Sequence, residues 1–199
     1  LSRGLGDVYK RQIFLVAILY GCGSSVSPVD QGLIDQVMHI GNGSEPQGLD
    51  PHVVTGVPEH HLLITMCEGL TISNPEGGAN LPGMAESWEI SEDGKTYIFN
   101  IRKDAKWSNG DDFVADDMVW SWMRVLTPSL GSQYPDMLYY VEGAEDFNTG
   151  VITDFSEVGV KAIDDKTLEV KLNNPTPFFL GLLSHYSTWP VHKLSLIHI

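Results

Sequence analysis

Basic residues are scarce in this chain: 12 Lys and Arg stand against 26 Asp and Glu, a formal charge of −14. A nucleic-acid surface needs clustered cations to displace the counterions around phosphates, so DNA and RNA are excluded as partners. Cysteine is scarcer still. Cys22 and Cys67 are the only two, too few for a disulfide framework; if Cys22 is modified, Cys67 is expected to sit as a small buried hydrophobe. Long apolar runs are missing as well. Ile13 to Leu19 (IFLVAIL) falls far short of the roughly 20 residues that a membrane-spanning helix needs. There is no P-loop, no G-x-S-x-G, no internal repeat and no low-complexity tract, and nothing calls for a cofactor. What remains is ordinary: 199 residues, 42% of them apolar, enough to bury one or two small cores.

The two ends read differently from the middle. The first residue is Leu1, and Leu1 to Gln12 (LSRGLGDVYKRQ) and Leu194 to Ile199 (LSLIHI) fit neither neighbour. Both resemble translated sequencing adapter and are expected to be non-native tails, so fold reasoning is confined to about Ile13 to Lys193. Ile13 to Leu19 precedes Tyr20-Gly21-Cys22-Gly23-Ser24-Ser25, which resembles a bacterial lipoprotein signal with Leu19 at −3, Gly21 at −1 and Cys22 as the lipidated residue. Tyr20 is bulkier than that pattern prefers. Attached acyl chains would hold the protein to a membrane, at about 0.8 kcal/mol per buried methylene, with Ser24 to Asp30 as a flexible tether.

Hydrophobic periodicity then sets out a series of elements. Gln36 to Gly41 is expected to be a first strand, followed by a polar turn-rich stretch from Asn42 to Pro51. Pro58 to Leu70 is helical, with Leu62, Met66 and Leu70 every fourth residue and Leu63 and Cys67 beside them. Pro58 and Glu59 suit its N-terminus, where a missing N–H costs nothing and a carboxylate meets the positive dipole end. Trp88 to Ile90 and Thr96 to Ile101 alternate around an Asp93-Gly94 turn, which predicts a hairpin. After a loop at Lys106 to Asp111, Ala115 to Leu126 is an amphipathic helix carrying Met118, Trp122 and Leu126, with Asp116 and Asp117 in its first turn and Pro128 beyond its end. A second hairpin spans Val158 to Ile163 and Leu168 to Leu172, and Phe178 to Leu183 forms a short helix. Strands and helices mix without strict alternation, so the fold class is α+β (mixed α/β).

The order of these motifs resembles the extracellular solute-binding proteins, family 5, of oligopeptide and dipeptide ABC importers. The resemblance runs from about Gln36 to Lys193 and is strongest in Ala85-Glu86-Ser87-Trp88 with the hairpin to Arg102, Ala105-Lys106-Trp107-Ser108-Asn109-Gly110, and Val119-Trp120-Ser121-Trp122. Leu49-Asp50-Pro51-His52 and Val160-Lys161-Ala162-Ile163-Asp164-Asp165 agree too. Most of these positions mark scaffold: Trp88, Phe99 and Trp107 are expected in the core. The resemblance implies an N-terminal fragment of a two-lobed periplasmic-binding-protein fold with an extra domain. Residues 31–67 would start the substrate-binding lobe, and 68–190 would form the extra domain. Residues Ile34 to Cys67 would lack sheet partners and expose apolar surface.

The same resemblance implies a peptide ligand, delivery to ABC importer permease subunits, a monomer, and an extracytoplasmic location in the bacterial envelope. It carries Thr55, Gly56 and Val57 over as an extended segment that pairs with the peptide main chain by β-augmentation, and Tyr134 as a cleft tyrosine. Thr55 stands where near relatives carry an acidic residue, so side-chain preference there is open. The same fold could instead serve nickel, haem, a signalling peptide or a cell-wall peptide. A peptide-holding chaperone would need no importer. A zinc hydrolase built from Glu59, His60, His61 and Cys67 is disfavoured because adjacent histidines point to different helix faces and the spacing is not H-E-x-x-H.

Overall fold

Tyr97, Phe99 and Ile101 alternate with Thr96, Ile98 and Asn100, and that alternation places the centre of the structure. The computed structural model describes residues 26–194. The lipoprotein signal, Cys22, the tail at 1–12 and all but Leu194 of the tail at 194–199 lie outside the described residues. The described residues fall into two units, divided between Asn42 and Gly43.

In the first unit the expected tether is cut short by a helix, α1 (Pro28–Asp35). Its signals are local. The Ser27 hydroxyl oxygen accepts the Asp30 N–H at 3.1 Å, Pro28 sits at the first turn, and Gln36 in the left-handed region (φ 57°) closes the end. The expected strand at Gln36 to Gly41 is not formed, and Met38 is 83% exposed. An apolar pattern yields a strand only where another strand can take its backbone hydrogen bonds, and none among the described residues does.

The second unit is built on an antiparallel sheet of order β3-β4-β6-β5, with β3 (Ala85–Ile90), β4 (Thr96–Ile101), β5 (Val160–Asp164) and β6 (Thr167–Lys171). Both expected hairpins are present, and they join through their second strands. The register pairs Tyr97 with Val170 and Phe99 with Leu168. Opposed residues share a face, so these four, with Val160 from β5, form one buried inner surface. The first turn needs Gly94, whose φ of 69° an L side chain adopts poorly. Asp93 Oδ1 accepts the Lys95 N–H at 3.1 Å, and Ser91 bonds Thr96 across the turn.

Helix α3 (Ala115–Leu126) covers that inner face with Met118, Trp122, Val125 and Leu126, and its ends fall where periodicity placed them. Asp117 fixes its start: Oδ2 accepts the Val114 N–H at 3.1 Å and the Trp107 indole N–H at 2.9 Å. The Trp107 loop is thereby tied to the helix, and its ring meets Phe113 edge-on at 5.3 Å. Helix α4 (Ala144–Thr149) is docked through Asn148, which donates to the Leu126 carbonyl at 2.8 Å and accepts from Tyr139. A two-residue pair, β1 (Thr71–Ile72) with β2 (Leu81–Pro82), was too short to show in the pattern. Thr71 donates to the Leu180 carbonyl of α5 (Phe179–Leu182) at 2.8 Å.

Phe99 and Ile90 give a matched test of this core. Phe99→Ala is expected to lower unfolding free energy by about 3–5 kcal/mol, because it opens a cavity under α3. Ile90→Ala, at a half-exposed site on edge strand β3, is expected to stay within about 0.5 kcal/mol of the parent. Urea titration of both variants reads the difference.

Candidate functional site

Residues 43–67 reach the rest of the unit through helix α2 (Val57–Met66) and the turn that precedes it. The expected stripe of Leu62, Met66 and Leu70 is not the buried one. The face is rotated by one residue: Leu63 is fully buried against Tyr186 and Trp189, with Cys67, Val54 and Tyr134 packed around them, while Met66 is 63% exposed. Helical spacing allows both stripes, and Leu63 wins because Tyr186 and Trp189 lie opposite it. The helix also stops at Met66; Cys67 is extended, and Leu70 joins the main core. Cys67 is half-buried rather than fully so, and burial pushes its thiol pKa up. Ile64 and Val57 are exposed as well, in keeping with the apolar surface expected here.

Asp50, His52 and Arg124 form a polar node that no periodicity revealed. Asp50 accepts from both Arg124 terminal nitrogens and, at 3.0 Å, from the His52 N–H. The Arg124 guanidinium also donates to His52 Nδ1 at 2.9 Å, which leaves Nε2 as the protonated nitrogen that donates to the Trp189 carbonyl at 2.9 Å. Burial alone would raise the Asp50 carboxyl, but the Arg124 bond, the His52 N–H and the Arg124 charge together hold it below its usual value. His52 is buried, and burial, helped by the Arg124 charge, takes its pKa down to about 4. The ring is therefore neutral near pH 7.

Beyond this node the chain runs extended. Gly56 has φ −87° and ψ 157°, Thr55 and Val57 are exposed, and the N–H groups of Thr55 and Gly56 carry no hydrogen bond among the described residues. Glu59 is buried beneath this segment. Its Oε1 accepts the Gln47 N–H at 2.6 Å, while Oε2 lies over Gly56 so closely that an added Cβ would overlap it. At the other end the Tyr186 hydroxyl donates to the Val54 carbonyl at 3.1 Å. Tyr134, half-buried, reaches the segment through Tyr186, whose ring it meets edge-on at 6.3 Å, and packs on His185 at 5.3 Å. Tyr186 and His185 were not anticipated, since no motif in the sequence marks them. His60 packs on Tyr186 and its neighbour His61 is exposed; among the described residues no three His, Cys, Asp or Glu side chains converge as metal ligands.

Two measurements test the node. Arg124→Met strips Asp50 and His52 of their shared donor and is expected to cost about 3 kcal/mol, read from urea midpoints. Because the folded His52 pKa lies below the unfolded value near 6.5, its contribution is complete above pH 6.5 and is lost as pH falls toward 4. The loss is expected to reach about 2 kcal/mol by pH 5, and His52→Gln should flatten that part of the profile.

Residues 81–196 match the family model described as "Bacterial extracellular solute-binding proteins, family 5 Middle". The chain is 41% identical over 187 residues to the periplasmic oligopeptide-binding protein OppA of Escherichia coli (strain K12), covering 92% of this chain and 34% of that one. It is 42% identical over 156 residues to the oligopeptide-binding protein OppA of Bacillus subtilis (strain 168), covering 78% of this chain and 28% of that one. Among solved structures it resembles Haemophilus influenzae OppA in complex with the peptide RPPGFSPFR, with a TM-score of 0.73 and 42% identity over 79% of this chain and 31% of that one. The chain thus spans about a third of the length of the curated relatives it matches. A mixed α+β unit, the motif order and these likenesses agree, and the chain belongs to the bacterial extracellular solute-binding proteins, family 5.

Proposed function

We propose that this protein captures oligopeptides by main-chain pairing and presents them to an ABC importer. The observation that carries the reading is the extended Thr55–Gly56 segment with its free N–H groups. Every peptide offers the same backbone acceptors, so a carrier that pairs with them holds many sequences while side-chain pockets, some of them wet, set the preference. Thr55, Gly56 and Val57 supply this edge, and Tyr134 supplies an aromatic wall beside it. The oligopeptide-binding relatives support the ligand class.

In this reading residues 31–67 begin the substrate lobe and 68–190 form the extra domain. Permease subunits are the partner, and the protein works as a monomer in the bacterial envelope, held to the membrane through Cys22. It is a carrier and catalyses no reaction. Peptide can favour a closed, importer-competent form only by binding that form more tightly than the open one.

Calorimetry on the product of the whole reading frame tests the proposal with a panel of unrelated tripeptides. Binding that tolerates side-chain changes but weakens on N-methylation of the peptide backbone is expected. Absence of tripeptide binding overturns it. Gly56→Pro and Gly56→Ala both press on Glu59, but only proline removes the donor. Gly56→Pro is therefore expected to bind about 5- to 10-fold more weakly than Gly56→Ala, the worth of one hydrogen bond. Equal affinities would remove Gly56 from the pairing edge.

A further inference from the structure

We infer that Tyr186 is the positioning residue of the peptide-pairing edge, holding the Val54 carbonyl and with it the peptide plane that carries the Thr55 N–H; this rests on the peptide-binding reading above. The edge is short. The Asp50 carbonyl accepts the N–H groups of Val53 and Val54, each at 3.1 Å, and the Gly56 carbonyl accepts the His60 N–H as α2 begins. Between them Thr55 and Gly56 keep N–H groups that are unpaired among the described residues, and so short an edge aims correctly only if both ends are fixed. The bond to His60 fixes the Gly56 end, with the Glu59 carboxylate, itself bonded to the Gln47 N–H, packed against it. At the Val54 end the Tyr186 hydroxyl, at 3.1 Å, is the donor.

The ring that carries this hydroxyl is itself held. Tyr186 is buried with Leu63 and Trp189, stacks at 4.2 Å on His185, and meets His60 of α2 at 5.6 Å and Tyr134 at 6.3 Å. It opens a short 3-10 turn, Tyr186–Thr188, whose Thr188 carbonyl accepts from the Trp122 indole and which is followed by Trp189, bonded to His52. The phenol is therefore a rigid link from the α3 core to the edge. Burial first, then the Tyr134 phenol and the Glu59 carboxylate, push its pKa up to about 12, which keeps the proton on the donor at any working pH. A hydroxyl lost from a purely structural tyrosine would weaken folding; here it should also weaken backbone pairing.

The test is Tyr186→Phe in the product of the whole reading frame, with tri-alanine and its backbone N-methylated form as probes. Tri-alanine affinity is expected to fall about 10-fold, and the penalty for N-methylation to shrink well below that of the parent protein. Tyr140→Phe, on a half-exposed ring that packs against Phe178 and has no part in this edge, is expected to keep the full N-methylation penalty. Unchanged affinity in Tyr186→Phe, or a lost affinity with the penalty intact, overturns the positioning role. If Tyr186→Phe does not fold, hydrogen exchange in the parent protein decides: tri-alanine should slow exchange at Thr55 and Gly56, and unchanged exchange there overturns the inference. A parent protein that binds no tri-alanine at all would instead defeat the peptide-binding reading beneath it.

Discussion

The Arg124 guanidinium holds together two parts of the chain that lie far apart in sequence. It reaches from α3, in the main core, to Asp50 and His52 at the turn before α2, and His52 passes the connection on to the Trp189 carbonyl. Everything that places the extended segment lies downstream of this node. Asp50 supplies the carbonyl that turns residues 50–54, Trp189 supplies the wall for Leu63, and the turn at 186–188 supplies Tyr186. A charged group half-shielded from water is costly unless each partner is satisfied, and here the guanidinium, carboxylate and imidazole complete one another. The node fixes position more than it adds stability.

What was legible in the sequence follows from which signals are local. The two hairpins and α3 were readable because alternation, an Asp-Gly turn and a four-residue period sit within one short window each, and tertiary packing agreed with them. Helix α1 had its own local signals in Ser27, Pro28 and Asp30, but a Ser-rich stretch after Cys22 suggested a tether instead. The Gln36 to Gly41 stretch failed for the opposite reason: its pattern was strand-like, but a strand is decided by its partner. On α2 the period was right and the face was not, because Leu62 and Leu63 both head acceptable stripes and only the distant Tyr186 and Trp189 choose between them.

The site was less legible than the fold. Asp50 and His52 stood in a visible motif, but their partners lie 74 and 137 residues away and no spacing rule connects them. Thr55, Gly56 and Val57 came from resemblance, and the structure adds a physical reason for glycine at 56, the carboxylate of Glu59 lying against it. Tyr186 was invisible, since a lone tyrosine after a histidine carries no chemistry until its hydroxyl is seen to have an acceptor. A buried carboxylate at Glu59 was also unreadable, because a first-turn glutamate is ordinarily solvated.

The strand order has a consequence for the time course of folding. Each hairpin closes over a short turn, but the seam between β4 and β6 joins Phe99 to Leu168 across the whole of α3 and α4. Closing so long a loop costs on the order of 4 kcal/mol in chain entropy before any contact across it is rewarded. The hairpins and α3 can therefore gather early and reversibly, while the seam commits the unit to its topology. Ordering of the sheet interior is then limited by a meeting of preformed pieces, and residues at that meeting, Phe99 and Leu168 among them, weigh on the rate as well as on the equilibrium.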